Sequence, residues 1–402
     1  MAFDPSFLPY ARQCLDDADV SAVVEVLRGD WLTQGPKIAE FEQAVAKRVD
    51  AKYAVAFSSG TAALHAACAV AGIGTGDDVI TSPITFAASG NCALYTGAKV
   101  GFADIDPVTG CMSPKALKSA LTSRTKAIIP VDFAGLPCDY DEIIELAKQH
   151  NLTVIEDAAH ALGAVYRKRP VGQLADMTVF SFHPVKHITT GEGGMVVTDD
   201  DRFDTALRAF RSHGINHQPE DMTERVQASD NESLPLARHN PPVKAGWYYE
   251  MQSLGYNYRI TDIQSALGLS QLTKLDRFLE RRRSIAARYN DAFSSTNLLQ
   301  IPSWPDDRQS AWHLYVIRLR LDLMRKTRRQ VYDELRNLGI GVQVHYLPLH
   351  LHPYYRQKFG FRRGDFPEAE AFYDSALSLP LFPAMSDSDA ERVISSVLEI
   401  LA

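Results

Sequence analysis

Between Tyr53 and Thr198 the chain alternates short apolar runs with longer segments of helical period. The runs Tyr53 to Phe57, Val79 to Thr81, Val100 to Phe102, Ala127 to Val131, Thr153 to Glu156, Met177 to Phe182 and Met195 to Thr198 predict strands. Thr61 to Ala71, Phe86 to Thr96, Ser113 to Ala120 and Tyr140 to His150 predict the helices between them. Strands apolar on both faces and separated by helices make an α/β fold with a mostly parallel sheet covered on both sides. Ahead of the sheet, Val20, Val23, Val24 and Leu27 mark a helix capped by Asp16 or Asp17 and stopped at Gly29. Ile38, Phe41 and Val45 mark a second helix, from Pro36 to near Asp50, and the loop Trp31 to Gly35 joins the two.

The second half follows a sparser pattern. A single long helix is predicted from about Thr261 to Phe293, with Arg281 to Arg283 as a solvated basic face. His313 to Arg320 reads as a strand, Arg328 to Leu338 as a helix, Gly341 to His345 as a strand and Ser386 to Leu401 as a closing helix, which together make a smaller α/β unit. The expected division is a large domain over 12–270 and a small one over 271–402. Within the large domain, 216–246 is polar and proline-bearing without apolar period, so a mobile insertion is expected there.

Three stretches carry chemistry. The run Thr178 to Phe182 ends at His183-Pro184, which places Lys186 just past a strand end and ahead of Gly191, Gly193 and Gly194. Apolar surroundings favour its neutral amine, a nucleophile for carbonyls. A second strand delivers Asp157 at its C-terminal end. After Tyr53 to Phe57, the turn Ser58-Ser59-Gly60-Thr61 opens a helix and offers backbone N–H groups and hydroxyls to an anion. Ser181 adds a hydroxyl five residues before the lysine. Singly, each has an ordinary reading: a surface lysine, a capping acid, a serine bonding its own backbone. Together they match what pyridoxal 5'-phosphate needs, an amine for its aldehyde, a carboxylate for its ring nitrogen and a cradle for its phosphate. Gly72-Ile-Gly74-Thr-Gly76 follows a helix and precedes a strand, the reverse of a dinucleotide-binding loop, and reads as a turn.

The ordered motifs FSSGTAAL, SPITFAAS, IEDAAHALG, FSFHPVK, TTGEGG, FRSHG and GYNYR resemble the sugar-nucleotide aminotransferases of the DegT/DnrJ/EryC1/StrS family, from about Tyr10 to the C-terminus. The resemblance implies a fold-type I aminotransferase with a seven-stranded sheet. It also implies Lys186 as the Schiff-base residue, pyridoxamine 5'-phosphate as intermediate and L-glutamate as amino donor. By the same resemblance Phe86 stacks on the cofactor ring, His160 touches its oxygen, and Asn257 reaches the phosphate from the partner of a homodimer. Tyr10, Trp31, Thr33, His345 and Tyr346 correspond to sugar-nucleotide contacts, partly across the subunit interface. WLTQGP, ITTGEGG, IQSALGLSQL and GVQVHYLPLH most resemble the branch that aminates C4 of a UDP-linked 4-keto-6-deoxy-N-acetylhexosamine on the route to pseudaminic acid. Another keto sugar (dTDP or GDP, C3 or C4), a dehydratase or a non-catalytic regulator on the same fold stay open as alternatives. A dehydratase of the family carries histidine where Lys186 stands, which favours transamination.

Composition narrows the partners. A formal charge of -7 gives no case for nucleic acid or an acidic membrane surface. Five scattered cysteines without a C-x-x-C pair read as reduced and buried. No apolar stretch reaches membrane-spanning length, and a cytoplasmic protein is expected. His345, His350 and His352 lack an acidic or cysteine companion at metal-ligand spacing, so no metal is expected.

Overall fold

In the computed structural model, which describes residues 7–216 and 249–401, the seven apolar runs form one sheet. Its strands are β1 (Tyr53–Phe57), β2 (Asp78–Thr81), β3 (Lys99–Phe102), β4 (Thr125–Ile129), β5 (Thr153–Asp157), β6 (Met177–Ser181) and β7 (Gly194–Thr198). They lie in the order β1-β7-β6-β5-β4-β2-β3. Only β7 runs against its neighbours, pairing antiparallel with β1 and β6. The rest of the ladder from β6 to β3 is parallel.

Helices cover both faces, and the strand alternation divides the side chains between them. Val55, Phe57, Ile155, Val179 and Val196 share a buried cluster with residues of α3 (Gly60–Val70), α4 (Ala87–Tyr95) and α7 (Asp201–Arg211). Ala54, Ala56, Val154, Phe180 and Val197 face the other way. They meet α2 (Pro36–Val49), α5 (Pro114–Ala120) and α6 (Tyr140–His150) through Phe41, Val45, Leu117 and Ile143. Gly72 and Gly76, both at positive φ, form the turn between α3 and β2.

Several expectations need correction. On α1 (Asp17–Arg28) the apolar positions Val20 and Leu27 face outward, and Asp19 and Val26 are the buried residues. The helix is rolled this way because Asp19 accepts hydrogen bonds from Ser270 Oγ and Gln271 Nε2 and pairs with Lys274. The long helix is two, α8 (Asp262–Leu272) and α9 (Leu275–Phe293). The carbonyl of Ser270, which a continuous helix would offer to the Lys274 N–H, accepts from Thr273 Oγ1 at 2.7 Å instead, and Lys274 N turns to Gln271 O. The basic run is not wholly solvated. Arg282 falls on the inward stripe of α9 between Phe278, Leu279, Ile285 and Ala286 and is fully buried. It donates to the carbonyls of Trp312, His313 and Leu381 at 2.8–3.2 Å.

Beyond α9, β8 (Leu299–Gln300), β9 (Tyr315–Leu319) and β10 (Ala376–Leu379) form an antiparallel sheet packed with α10 (Arg328–Asn337) and α13 (Asp387–Leu401). The strand expected over Gly341 to His345 is reduced to one bridge, Gln343 to Ser378. Its neighbour Gly341 bonds Leu8 O instead, so the segment divides its backbone partners between the N-terminal arm and β10. Three helices went unforeseen, α7, α11 (Pro353–Phe359) and α12 (Pro367–Ser375), although Asp200 caps the first and the other two each start on a proline, legitimate start signals. Beyond Asn216, the expected insertion over 216–246 lies outside the described residues. All five cysteines are free, and Cys68, Cys92, Cys111 and Cys138 are buried. Among the described residues no helix is long and apolar enough to cross a membrane.

Candidate active site

At the C-terminal ends of β1, β5 and β6 a cavity of about 620 Å3 opens, where parallel sheets place ligands. One wall is the β1–α3 turn. Ser59 caps α3 by accepting from Ala62 N at 3.1 Å, and the first-turn amides of Gly60 and Thr61 have no partner within the helix to satisfy them. Glycine is tightly held at Gly60 and required at Gly194. A Cβ at Gly60 would lie 3.1 Å from Ser181 Cβ, and one at Gly194 would lie 2.5 Å from Ser59 O. The backbone therefore makes a close cradle with the Ser181 hydroxyl opposite, a site for an anion.

Lys186 follows β6 in a turn closed by its own N–H to His183 O at 2.8 Å. Its side chain keeps some surface on the cavity but is ringed by protein at longer range. Desolvation brings its pKa down to about 8, against the opposing pull of the Asp157 charge. Asp157 ends β5 and is buried. Its Oδ2 accepts from Ser89 Oγ at 2.5 Å and its Oδ1 from Ala159 N at 3.2 Å. Burial raises its pKa, and those two hydrogen bonds with the Lys186 charge resist the rise. Ser89 Oγ in turn lies 2.6 Å from Thr85 Oγ1.

Phe86 is not a core phenylalanine. It caps α4 with its side chain over the cavity, and the residue is 62% exposed. His160 is buried, with Nε2 at 3.2 Å from Tyr346 OH and its ring 4.2 Å from that of His313. Burial holds it neutral, and among the described residues its Nδ1 has no hydrogen-bond partner. Tyr10 packs against His345, whose Nδ1 meets Ser378 Oγ at 2.7 Å and whose pKa is lowered to about 3 by desolvation. His350 is bound to Glu370 at 2.9 Å, and among the described residues no group of three ligating side chains could hold a metal.

Ten of the thirteen residues singled out in the sequence line this cavity: Tyr10, Gly60, Thr61, Phe86, Asp157, His160, Ser181, Lys186, His345 and Tyr346. Trp31, Thr33 and Asn257 do not. Asp262 accepts from Gly35 N and Lys37 N and fixes the Trp31 loop to the start of α8, where Thr33 bridges Thr261 and Trp31 stays exposed. Asn257 bridges Ser212. Thr85, Ser89, Glu192 and Gln343 line the cavity and were missed. No local pattern marks Thr85 or Ser89, because the two hydroxyls meet only once Thr85, two residues ahead of α4, is folded against that helix. The arrangement can capture a carbonyl with an amine, hold an anion on helix amides and offer a carboxylate to a protonated ring nitrogen.

Comparison with known proteins places this cavity in company. A family model described as DegT/DnrJ/EryC1/StrS aminotransferase matches residues 13–398. The spore coat polysaccharide biosynthesis protein SpsC of Bacillus subtilis is 42% identical over 98% of this chain and 97% of its own. PseC of Helicobacter pylori, an aminotransferase involved in the biosynthesis of pseudoaminic acid, superposes with a TM-score of 0.86 at 32% identity, covering 98% of this chain and 99% of its own. The putative sugar aminotransferase Spr1654 of Streptococcus pneumoniae in its PLP-form gives 0.85 at 29% identity, over 98% and 100%.

Proposed function

The chain belongs to the DegT/DnrJ/EryC1/StrS aminotransferase family, and on that premise we propose a pyridoxal 5'-phosphate-dependent enzyme that moves an amino group from L-glutamate to C4 of a UDP-linked 4-keto-6-deoxy-N-acetylhexosamine. One observation carries the reading. A lysine with pKa near 8, a buried carboxylate and the amides of a helix start converge on one cavity. The residues present fit the cofactor, because Gly60 leaves room that a Cβ would fill and His160 Nδ1 is a buried polar atom awaiting a partner.

Bound there, the cofactor supplies an aldehyde conjugated to an electron-withdrawing ring. The protein's own residues do the rest. Lys186 attacks as a neutral amine and afterwards carries the proton to and from the donor's Cα. Asp157 keeps the proton on the ring nitrogen. Gly60, Thr61 and Ser181 hold the phosphate, joined by Asn257 of a second copy in a homodimer. Phe86 covers the ring and His160 its oxygen. Tyr10, His345 and Tyr346, with Trp31 and Thr33, meet the sugar nucleotide.

The likeness to PseC supports the pseudaminic-type substrate. SpsC, more similar in sequence, is a protein of spore coat polysaccharide biosynthesis, a different product, and the second reading is amination of another nucleotide-linked keto sugar, dTDP or GDP and C3 or C4. Product analysis after offering L-glutamate with a panel of keto-sugar nucleotides separates them: amination of the UDP sugar is expected, and amination of dTDP or GDP sugars alone overturns the first reading. Borohydride treatment with pyridoxal 5'-phosphate should leave a covalent adduct on Lys186, and Lys186→Ala should lose both adduct and turnover. Absence of the wild-type adduct sinks both readings.

A further inference from the structure

Asp157 has to remain a carboxylate in a place that penalises charge. Around it stand Lys186 from the turn after β6, Tyr346 from the segment after Val344 and Cys92 from α4. Burial keeps Tyr346 and Cys92 protonated and neutral. Lys186 is the one cation among these neighbours, and it gives up its charge when it acts as a nucleophile. Of the protein's own groups, what then still favours the ionised form is hydrogen bonding, from Ser89 and the Ala159 amide.

The start of α4 provides the first of these. Ser89 is fully buried, with its hydroxyl 2.5 Å from Asp157 Oδ2, and Thr85, nearly as buried and two residues ahead of α4, places its Oγ1 2.6 Å from Ser89 Oγ. A hydroxyl has one proton, and an ionised carboxylate only accepts. Ser89 therefore donates to Asp157 and accepts from Thr85, and a chain of this polarity strengthens each of its bonds. The remaining acceptor near Ser89 is Phe86 O at 3.4 Å, too long to compete.

We propose that Ser89, backed by Thr85, is a positioning residue that holds Asp157 ionised and fixed in orientation for the ring nitrogen of the cofactor; this rests on the pyridoxal phosphate reading of the site. The test compares wild type, Ser89→Ala, Ser89→Thr and Thr85→Val holoenzymes. Three readouts apply: the dissociation constant for pyridoxal 5'-phosphate, the pH profile of the single-turnover half-reaction with L-glutamate, and thermal stability. Losing a hydrogen bond to a charged group should weaken cofactor binding about tenfold in Ser89→Ala. It should also slow the half-reaction about tenfold and move its acid limb up by about one pH unit. Ser89→Thr, which keeps the hydroxyl, should restore the limb, and Thr85→Val should move it by less than Ser89→Ala. A merely structural residue would lower thermal stability and leave the limb and the cofactor affinity in place. That result, with a normal Lys186 adduct in wild type, overturns the inference alone; no adduct in wild type overturns it together with the proposed function.

Discussion

Lys186 costs the fold stability before any ligand arrives. Its pKa is about 8 in the folded chain against 10.5 for an ordinary lysine. Below pH 8 both states are protonated, and burying the ammonium carries a constant net penalty on the order of 3 kcal/mol, with the attraction to Asp157 already included. Between pH 8 and 10.5 the folded amine is neutral while the unfolded one still binds its proton, so the penalty shrinks as pH rises. We expect apo Lys186→Met to be more stable than wild type at pH 7, by about 2 kcal/mol, with the gap closing towards pH 10.5. Urea unfolding of the apoproteins across that range checks this, and equal stability at pH 7 would contradict the buried ammonium. Lys186 and Asp157 were legible in the sequence because residue type and strand-end placement carry their chemistry. Ser89 was not, because a serine hydroxyl acquires a role only from what α4 is packed against.

At the scale of elements, the anion cradle is a contact between the β1–α3 turn and β7. A methyl at Gly194 would sit 2.5 Å from Ser59 O and 2.7 Å from Gly60 Cα, both backbone atoms at the start of α3. Gly194→Ala should therefore lower stability by about 2 kcal/mol and weaken pyridoxal 5'-phosphate binding more strongly than Gly60→Ala, whose methyl meets only the Ser181 side chain. Thermal unfolding and cofactor titration of the two variants decide it, and an equal effect would mean that the turn yields freely. Strands and the four predicted helices of the sheet domain appeared within two residues of their expected bounds because buried runs and helical period are local signals. The break between α8 and α9 was invisible, since it depends on one threonine hydroxyl taking a carbonyl. Arg282 could have been placed: its position on the stripe with Phe278, Leu279 and Ile285 outweighs its charge.

For the whole molecule, α9 joins two buried clusters: Leu275, Phe278 and Leu279 pack below the large sheet, and Ile285, Tyr289 and Phe293 in the C-terminal core. We propose the domain division at 270/271, in the last turn of α8 and four residues ahead of Leu275, where α9 begins. Leu15, Val20, Leu27, Trp31 and Leu32 are exposed on the α1 side, and Asn257 lies outside the cavity of its own chain. Both features suit a homodimer with shared sites, and sedimentation should give twice 44.6 kDa. A monomer that transaminates at full rate would exclude Asn257 from its proposed role. The sequence by itself determined the α/β class, the strand ends that carry Lys186 and Asp157 and the glycines of the cradle, because burial, period and backbone freedom are written in consecutive residues. Only the tertiary structure decided that Ser89 meets Asp157, that Thr273 closes α8 on the Ser270 carbonyl and that Asp262 pins the Trp31 loop to α8. Each of these depends on which group lies within about 3 Å of a donor, a distance that hydrogen bonding requires and no local pattern encodes.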